Sequence, residues 1–163
     1  MPIFFYISIV VPLTIAIGLP RVLRHYGLKE HGWRWLLYTA CGLFFISWYL
    51  PSPLIEGQDT SFTTHFVGGG LFTGMVWWYL VRATGWRASW VAEGFSLFAL
   101  VSALGCLNEL AELCMVKLGV ARIILTDTNW DILANTLGAA VVWAGWLLIG
   151  SRSRRASSRR IQR

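Results

Sequence analysis

Six of the eight acidic residues in this chain cluster toward one end of its predicted helices. They are Glu56, Asp59, Glu109, Glu112, Asp127 and Asp131. His65, Asn108 and Asn135 fall at the same level. Carboxylates beside an imidazole can do general acid/base work, because crowding like charges strengthens the hold of one carboxyl on its proton. On that chemistry His65, Glu109, Glu112 and Asp131 are the catalytic candidates, with His65 as the proton-transfer partner. Asn108, Asp127 and Asn135 would orient a substrate or the carboxylates. Oxygen ligands plus one imidazole would also suit a divalent metal such as Mg, Mn or Zn. No spacing here is diagnostic of a metal, so that variant stays open.

The spacings place these groups on helix faces. Glu109 and Glu112 are three apart, Asn108 and Glu112 four apart, and Gly105 and Ser102 continue the same stripe. Asp131, Asn135 and Gly138 stand at i, i+4 and i+7. His65 shares a face with Gly69, beside the pair Gly70 and Gly74. Small residues behind polar ones let helices approach closely, so the three stripes are expected to face one another around one pocket. Each residue also has a plain structural explanation. Asp127 or Thr128 could cap a helix, Asp131 could answer its dipole, and Glu109 and Glu112 could sit among solvated head groups.

The elements that would carry these faces are membrane spans. The chain is 56% hydrophobic and 15% aromatic, with a mean hydropathy of +0.57, too apolar for an ordinary soluble domain. The apolar runs are long and continuous rather than alternating, which predicts an all-α transmembrane bundle rather than a barrel. Five helices are expected, over about 2–19, 33–50, 65–81, 90–112 and 130–149. A disordered Arg-rich tail is expected over 151–163. Ionisable groups at membrane depth are costly, and their default reading is functional.

The basic residues orient the bundle. Arg21, Arg24, Lys29, Arg34, Arg82, Arg87 and the six tail arginines fall on one side, leaving only Lys117 and Arg122 on the other. The positive-inside rule then predicts an outside N-terminus and a cytoplasmic C-terminus, as five spans require. The first span lacks a basic leader and is followed at once by Arg21, so it reads as an uncleaved anchor. Trp33, Trp35, Trp86 and Trp90 are expected to belt the inner interface, and Trp48, Tyr49 and Trp130 the outer. The net charge of +6 is accounted for by these loops and does not call for nucleic acid. Cys41, Cys106 and Cys114 lie in apolar runs and read as buried thiols. Gly68-Gly69-Gly70 lacks the lysine of a phosphate-binding loop and is not read as one.

From His65 to Gly138 the sequence resembles the VanZ-like membrane proteins and the related YjdF-like group. The resemblance is carried by Asp59 followed by His65-Phe66, by Glu109-xx-Glu112, and by Asp127-Thr128-Asn129-Trp130-Asp131. The last segment continues as Asp131-xxx-Asn135-xx-Gly138, its most specific piece. It implies a small multi-pass protein of a bacterial plasma membrane, linked in some members to glycopeptide-antibiotic resistance, with no general reaction established.

The functional expectation is a membrane protein whose acidic and histidine site faces outward. It would bind or act on membrane lipid, a lipid-linked envelope precursor or another cell-envelope component. A proton or small-solute transporter is the alternative, although Glu93 is the only acid near the inner end of a span. A third reading is a scaffold, its polar cluster only locking helices together. Whether the protein is an enzyme is left open by the residues.

Overall fold

A computed structural model describes residues 2–28, 32–55, 57–120 and 128–161. The fold is an all-helical bundle of five rods. Helix α1 spans Pro2–His25 and α2 spans Arg34–Ser47. The third rod, α3, is continuous from an α-helical turn at Phe62–Thr64, through a π-helical stretch at His65–Leu71, to an α-helix at Phe72–Thr84. Helix α4 spans Trp90–Lys117 and α5 spans Thr128–Ile161. Between α2 and α3 a two-residue antiparallel ladder pairs Leu54–Ile55 with Gln58–Asp59.

Local chemistry sets these boundaries. Asp59 Oδ1 accepts the backbone N–H of Ser61 at 3.0 Å, and Ser61 takes a left-handed φ of 53°. An aspartate closing such a turn on its own backbone is a common way to launch a helix. Helix α3 stops at Gly85, whose φ of 65° suits glycine. Ser89 caps α4 by accepting the Ala92 N–H at 3.2 Å, and Glu93 sits in the first turn. The last helix runs on through Ile161, so the Arg-rich segment expected to lack regular structure continues α5. Extending an established helix is cheap, and arginine and alanine favour it.

Three helices are long and apolar enough to cross a membrane: Phe5–His25, Trp90–Lys117 and Thr128–Ile149. At most 28% of any of these windows is buried inside the protein. Helices so apolar and so exposed need lipid as their solvent. Large side chains such as Phe5, Leu13, Phe95, Phe98, Leu107 and Val141 point outward accordingly. Helix α2 is apolar but only 14 residues long. Its length of about 21 Å is short of the ~30 Å hydrocarbon layer.

Helix α3 is the centre of the bundle. It packs on α2 on one side and α5 on the other; α1 lies outside α2, and α4 rests mainly on α5. The contacts fix the directions. Ser47 meets Gly68 while Trp35 meets Trp78, so α2 and α3 are antiparallel. His65 meets Asp131 and Gly74 meets Val142, so α3 and α5 run parallel. Glu109 meets Thr128 while Glu93 meets Trp146, so α4 is antiparallel to α5. The core is richest toward the C-terminal half of α3, where Trp77, Trp78, Tyr79 and Val81 pack on Leu36, Leu37, Leu97 and Val142.

Candidate functional site

Three consecutive glycines in the π-helical stretch explain how α3 can sit so close to its neighbours. A Cβ on Gly68 would overlap the Ser47 side chain of α2. On Gly69 it would overlap the Asn135 amide of α5. On Gly70 it would lie 2.5 Å from the Asn135 carbonyl oxygen and 2.7 Å from Gly138 Cα. The run first read as a failed phosphate cradle is therefore a packing device. Without a hydrophobic drive between helices in lipid, such close backbone contact is a main source of association.

The wide π turn brings its first residue, His65, onto the same side as Gly69. Because α3 and α5 are parallel, the contacts form a ladder: His65 on Asp131, Gly69 on Asn135, Gly70 on Gly138, Gly74 on Val142. His65 Nε2 stands 3.4 Å from Asp131 Oδ1. Asp131 is only 2% exposed, whereas the His65 side chain is 14% exposed. A buried carboxylate beside an imidazole at the mouth of a cavity or helix bundle is suited to hold, accept or donate one proton. Irregular π turns are frequent at functional sites.

Glu109 reaches the same end of the bundle from α4. Its Oε2 accepts the Thr128 hydroxyl at 2.7 Å, one turn before Asp131 on α5. Its Oε1 is buried and has no hydrogen-bond partner among the described residues. Glu112 is half-buried and its Oε1 accepts the Asn108 side-chain N–H at 2.7 Å; Asn108 itself is exposed. Asn135 is 6% exposed and lies one turn below Asp131. Asp127 and Glu56 lie outside the described residues. Asp59 belongs to the turn that launches α3.

The candidates thus form a pair of a partly exposed His65 with a buried Asp131, and a link from Glu109 to Thr128, with Asn108 and Glu112 paired on the open side of α4. Among the described residues, no three His, Cys, Asp or Glu side chains come together as a metal ion would require. Thr128 entered the sequence reading as a helix cap and as part of the segment carrying the resemblance; here its hydroxyl joins α5 to Glu109 of α4 at this end of the bundle.

A second polar centre lies at the opposite end. The Arg82 guanidinium is held between two indoles, 4.6 Å from the Trp33 ring centre and 4.2 Å from that of Trp146. Trp146 donates its indole N–H to Glu93 Oε2 at 2.8 Å, and Glu93 is 4% exposed. Trp77 and Trp78 pack edge-on to Trp146, and Trp90 stacks on Trp143. Trp33 and Trp90 were expected only to mark the membrane interface; Trp33 also packs inward, while Trp90 stays exposed and stacks on Trp143. Arg82 was counted as a loop charge, because hydropathy ends the span at residue 81. The signal that could have found the centre is Trp143 and Trp146 on α5, three apart like Glu93 and Ser96 on α4.

No protein-family model, curated protein or solved structure matches this chain.

Proposed function

We propose that this membrane protein binds or acts on a lipid-linked or cell-envelope component at the His65–Asp131 end of the bundle, and that this end faces out of the cytoplasm. The observation that carries the reading is the nearly inaccessible Asp131 carboxylate 3.4 Å from His65 on a π-helical turn. A carboxylate in that position is expensive to keep as mere packing, and an imidazole beside it gives it a proton to exchange. His65 would move the proton, Asp131 would hold the imidazole's orientation and charge, and Glu109 would stand at the rim on Thr128. The orientation rests on the sequence, in which twelve of fourteen basic residues fall at span ends, connections and tail on the same side as Arg82. All five rods would cross the membrane, α2 and α3 with help from their flanking turns. The likeness to VanZ-like proteins supports the same location and class of partner.

The test is a pair of nearly isosteric changes, His65→Gln and Asp131→Asn, expressed in a bacterial host. Glycopeptide susceptibility would be read beside the folded yield in detergent. The reading expects each variant to fold and to lose the phenotype conferred by the native chain. Two folded variants with native phenotype would overturn it in favour of a structural cluster.

A further inference from the structure

We propose that Arg82 binds a phosphate group, supplied by a phospholipid head group or by free phosphate. The site lies at the end of the bundle opposite His65 and Asp131 and is independent of the function proposed for them. Its frame is the pair of indoles already described, with Trp33 and Trp146 each over the guanidinium carbon. A guanidinium has five N–H donors and no acceptor. Cation–π contact answers its charge but bonds none of those N–H groups. Among the described residues, Arg82 donates no hydrogen bond at all.

Trp146 is what keeps it unpaired. The indole presents its face to Arg82 and its N–H edge to Glu93. The buried acid of this end is thereby spent on the ring. Glu93 acts on the charge of Arg82 through space, yet among the described residues no ion pair joins the two. The Arg82 side chain is partly exposed. Of its three nitrogens only Nε is both buried and unpartnered, so the two terminal nitrogens form an open edge. The cation is held in place by two rings, kept off its counter-ion, and left with free donors facing outward.

Those donors select the ligand. Two terminal N–H groups in one plane match two oxygens of a single oxyanion, and fixing the fork beforehand lowers the cost of ordering it. Phosphate is the oxyanion that a protein bathed in lipid meets most often. Trp35, Trp86 and Trp90 remain exposed at this end, apolar surface that the tails of a bound lipid would cover. A carboxylate as near as Glu93 opposes any anion, so the site is weaker than its geometry alone would make it, and that opposition is itself a handle for testing it.

The test follows thermal unfolding of the full chain in a nonionic detergent. The additions are dioleoyl phosphatidic acid, dioleoylglycerol, which lacks only the phosphate, and inorganic phosphate against sodium chloride at equal ionic strength. A ligand that binds the folded state raises Tm as its concentration rises. Phosphatidic acid or inorganic phosphate should raise Tm, and dioleoylglycerol and sodium chloride should not. The source is whichever phosphate acts at the lower concentration. Arg82→Lys keeps the charge but loses the fork, and should need about tenfold more ligand for the same rise, the effect of one charge-assisted hydrogen bond. Glu93→Gln keeps an acceptor for Trp146 and removes the opposing charge, and should need about threefold less. Arg87→Gln, in the exposed turn after α3, should change the requirement little. No rise with either phosphate overturns the proposal, as does an equal rise with dioleoylglycerol. So does a requirement unchanged in Arg82→Lys, or unchanged in Glu93→Gln where the lysine variant does not fold. A loss in Arg87→Gln as large as that in Arg82→Lys would mark diffuse surface charge and overturn it too.

Discussion

Gly70 and Gly138 meet backbone to backbone: a Cβ on Gly138 would lie 2.9 Å from Gly70 Cα and would overlap the Phe66 carbonyl oxygen. This contact sets the spacing of α3 and α5, and so the reach between His65 and Asp131 one to two turns above it.

Gly138→Ala should therefore destabilise the bundle. The atoms it meets are backbone, which cannot rotate away, and overpacking of this kind costs about 1–3 kcal/mol. Gly18→Ala meets nothing within 4 Å and serves as the control, with an effect within about 0.5 kcal/mol. Thermal unfolding of both variants in the same detergent checks the difference. Equal Tm values would show that α3 and α5 are not held this closely.

Asp131→Asn should spare the fold and remove function. If Asp131 served only the helix dipole, loss of its charge would cost about 0.3–1 kcal/mol and leave activity intact. If it works with His65, the change keeps the shape and removes the proton chemistry. Stability in detergent and the envelope phenotype are read in the same strain. A folded variant with normal phenotype would put the scaffold reading ahead.

Glu93→Leu should destabilise the opposite end. It removes the acceptor of the Trp146 N–H and an opposite charge that acts on Arg82. A buried donor left unpaired costs about 1–3 kcal/mol. Glu93→Gln keeps the acceptor and should cost less. The two variants are compared by thermal unfolding, with the tryptophan emission maximum as a second readout. A leucine variant as stable as native would mean that this centre does not hold the bundle together.

A cysteine introduced at Gln58, in a chain lacking its three native cysteines, should react with an impermeant maleimide added to intact cells. One introduced at Ser157 should react only after lysis. The reverse pattern would invert the topology and place the His65 end in the cytoplasm.

Much of this architecture was legible in the sequence. Continuous apolar runs separated by charged turns located five helices, although α1, α4 and α5 run on past their expected ends to His25, Lys117 and Ile161, and the i, i+4, i+7 spacing of Asp131, Asn135 and Gly138 identified the face of α5 that meets α3. What could not be read was register. Period and spacing tell which residues share a face, not which residue on the next helix they touch. The alignment of His65 with Asp131 depends on a π turn that adds to the helix circumference, and Gly68-Gly69-Gly70 signals closeness without saying to what. The Arg82–Glu93–Trp146 centre was hidden for a different reason. Arginine and tryptophan near a span end have so ready an explanation as interface anchors that nothing in composition separates an anchor from a ring closed over a guanidinium.

The packing order has a consequence for how the protein is made. Helix α5 is synthesised after α4, yet it is α5 that covers the glycine face of α3. While the chain is still emerging from the ribosome, His65, Gly69 and Gly70 lack the helix that will cover them, although Gly68 already has Ser47 of α2 against it, and the α3–α4 pair must admit the newcomer along its side. The pair of His65 with Asp131 can come into being only at that late step. A nascent chain halted after Lys117 would hold half of it, waiting in the bilayer.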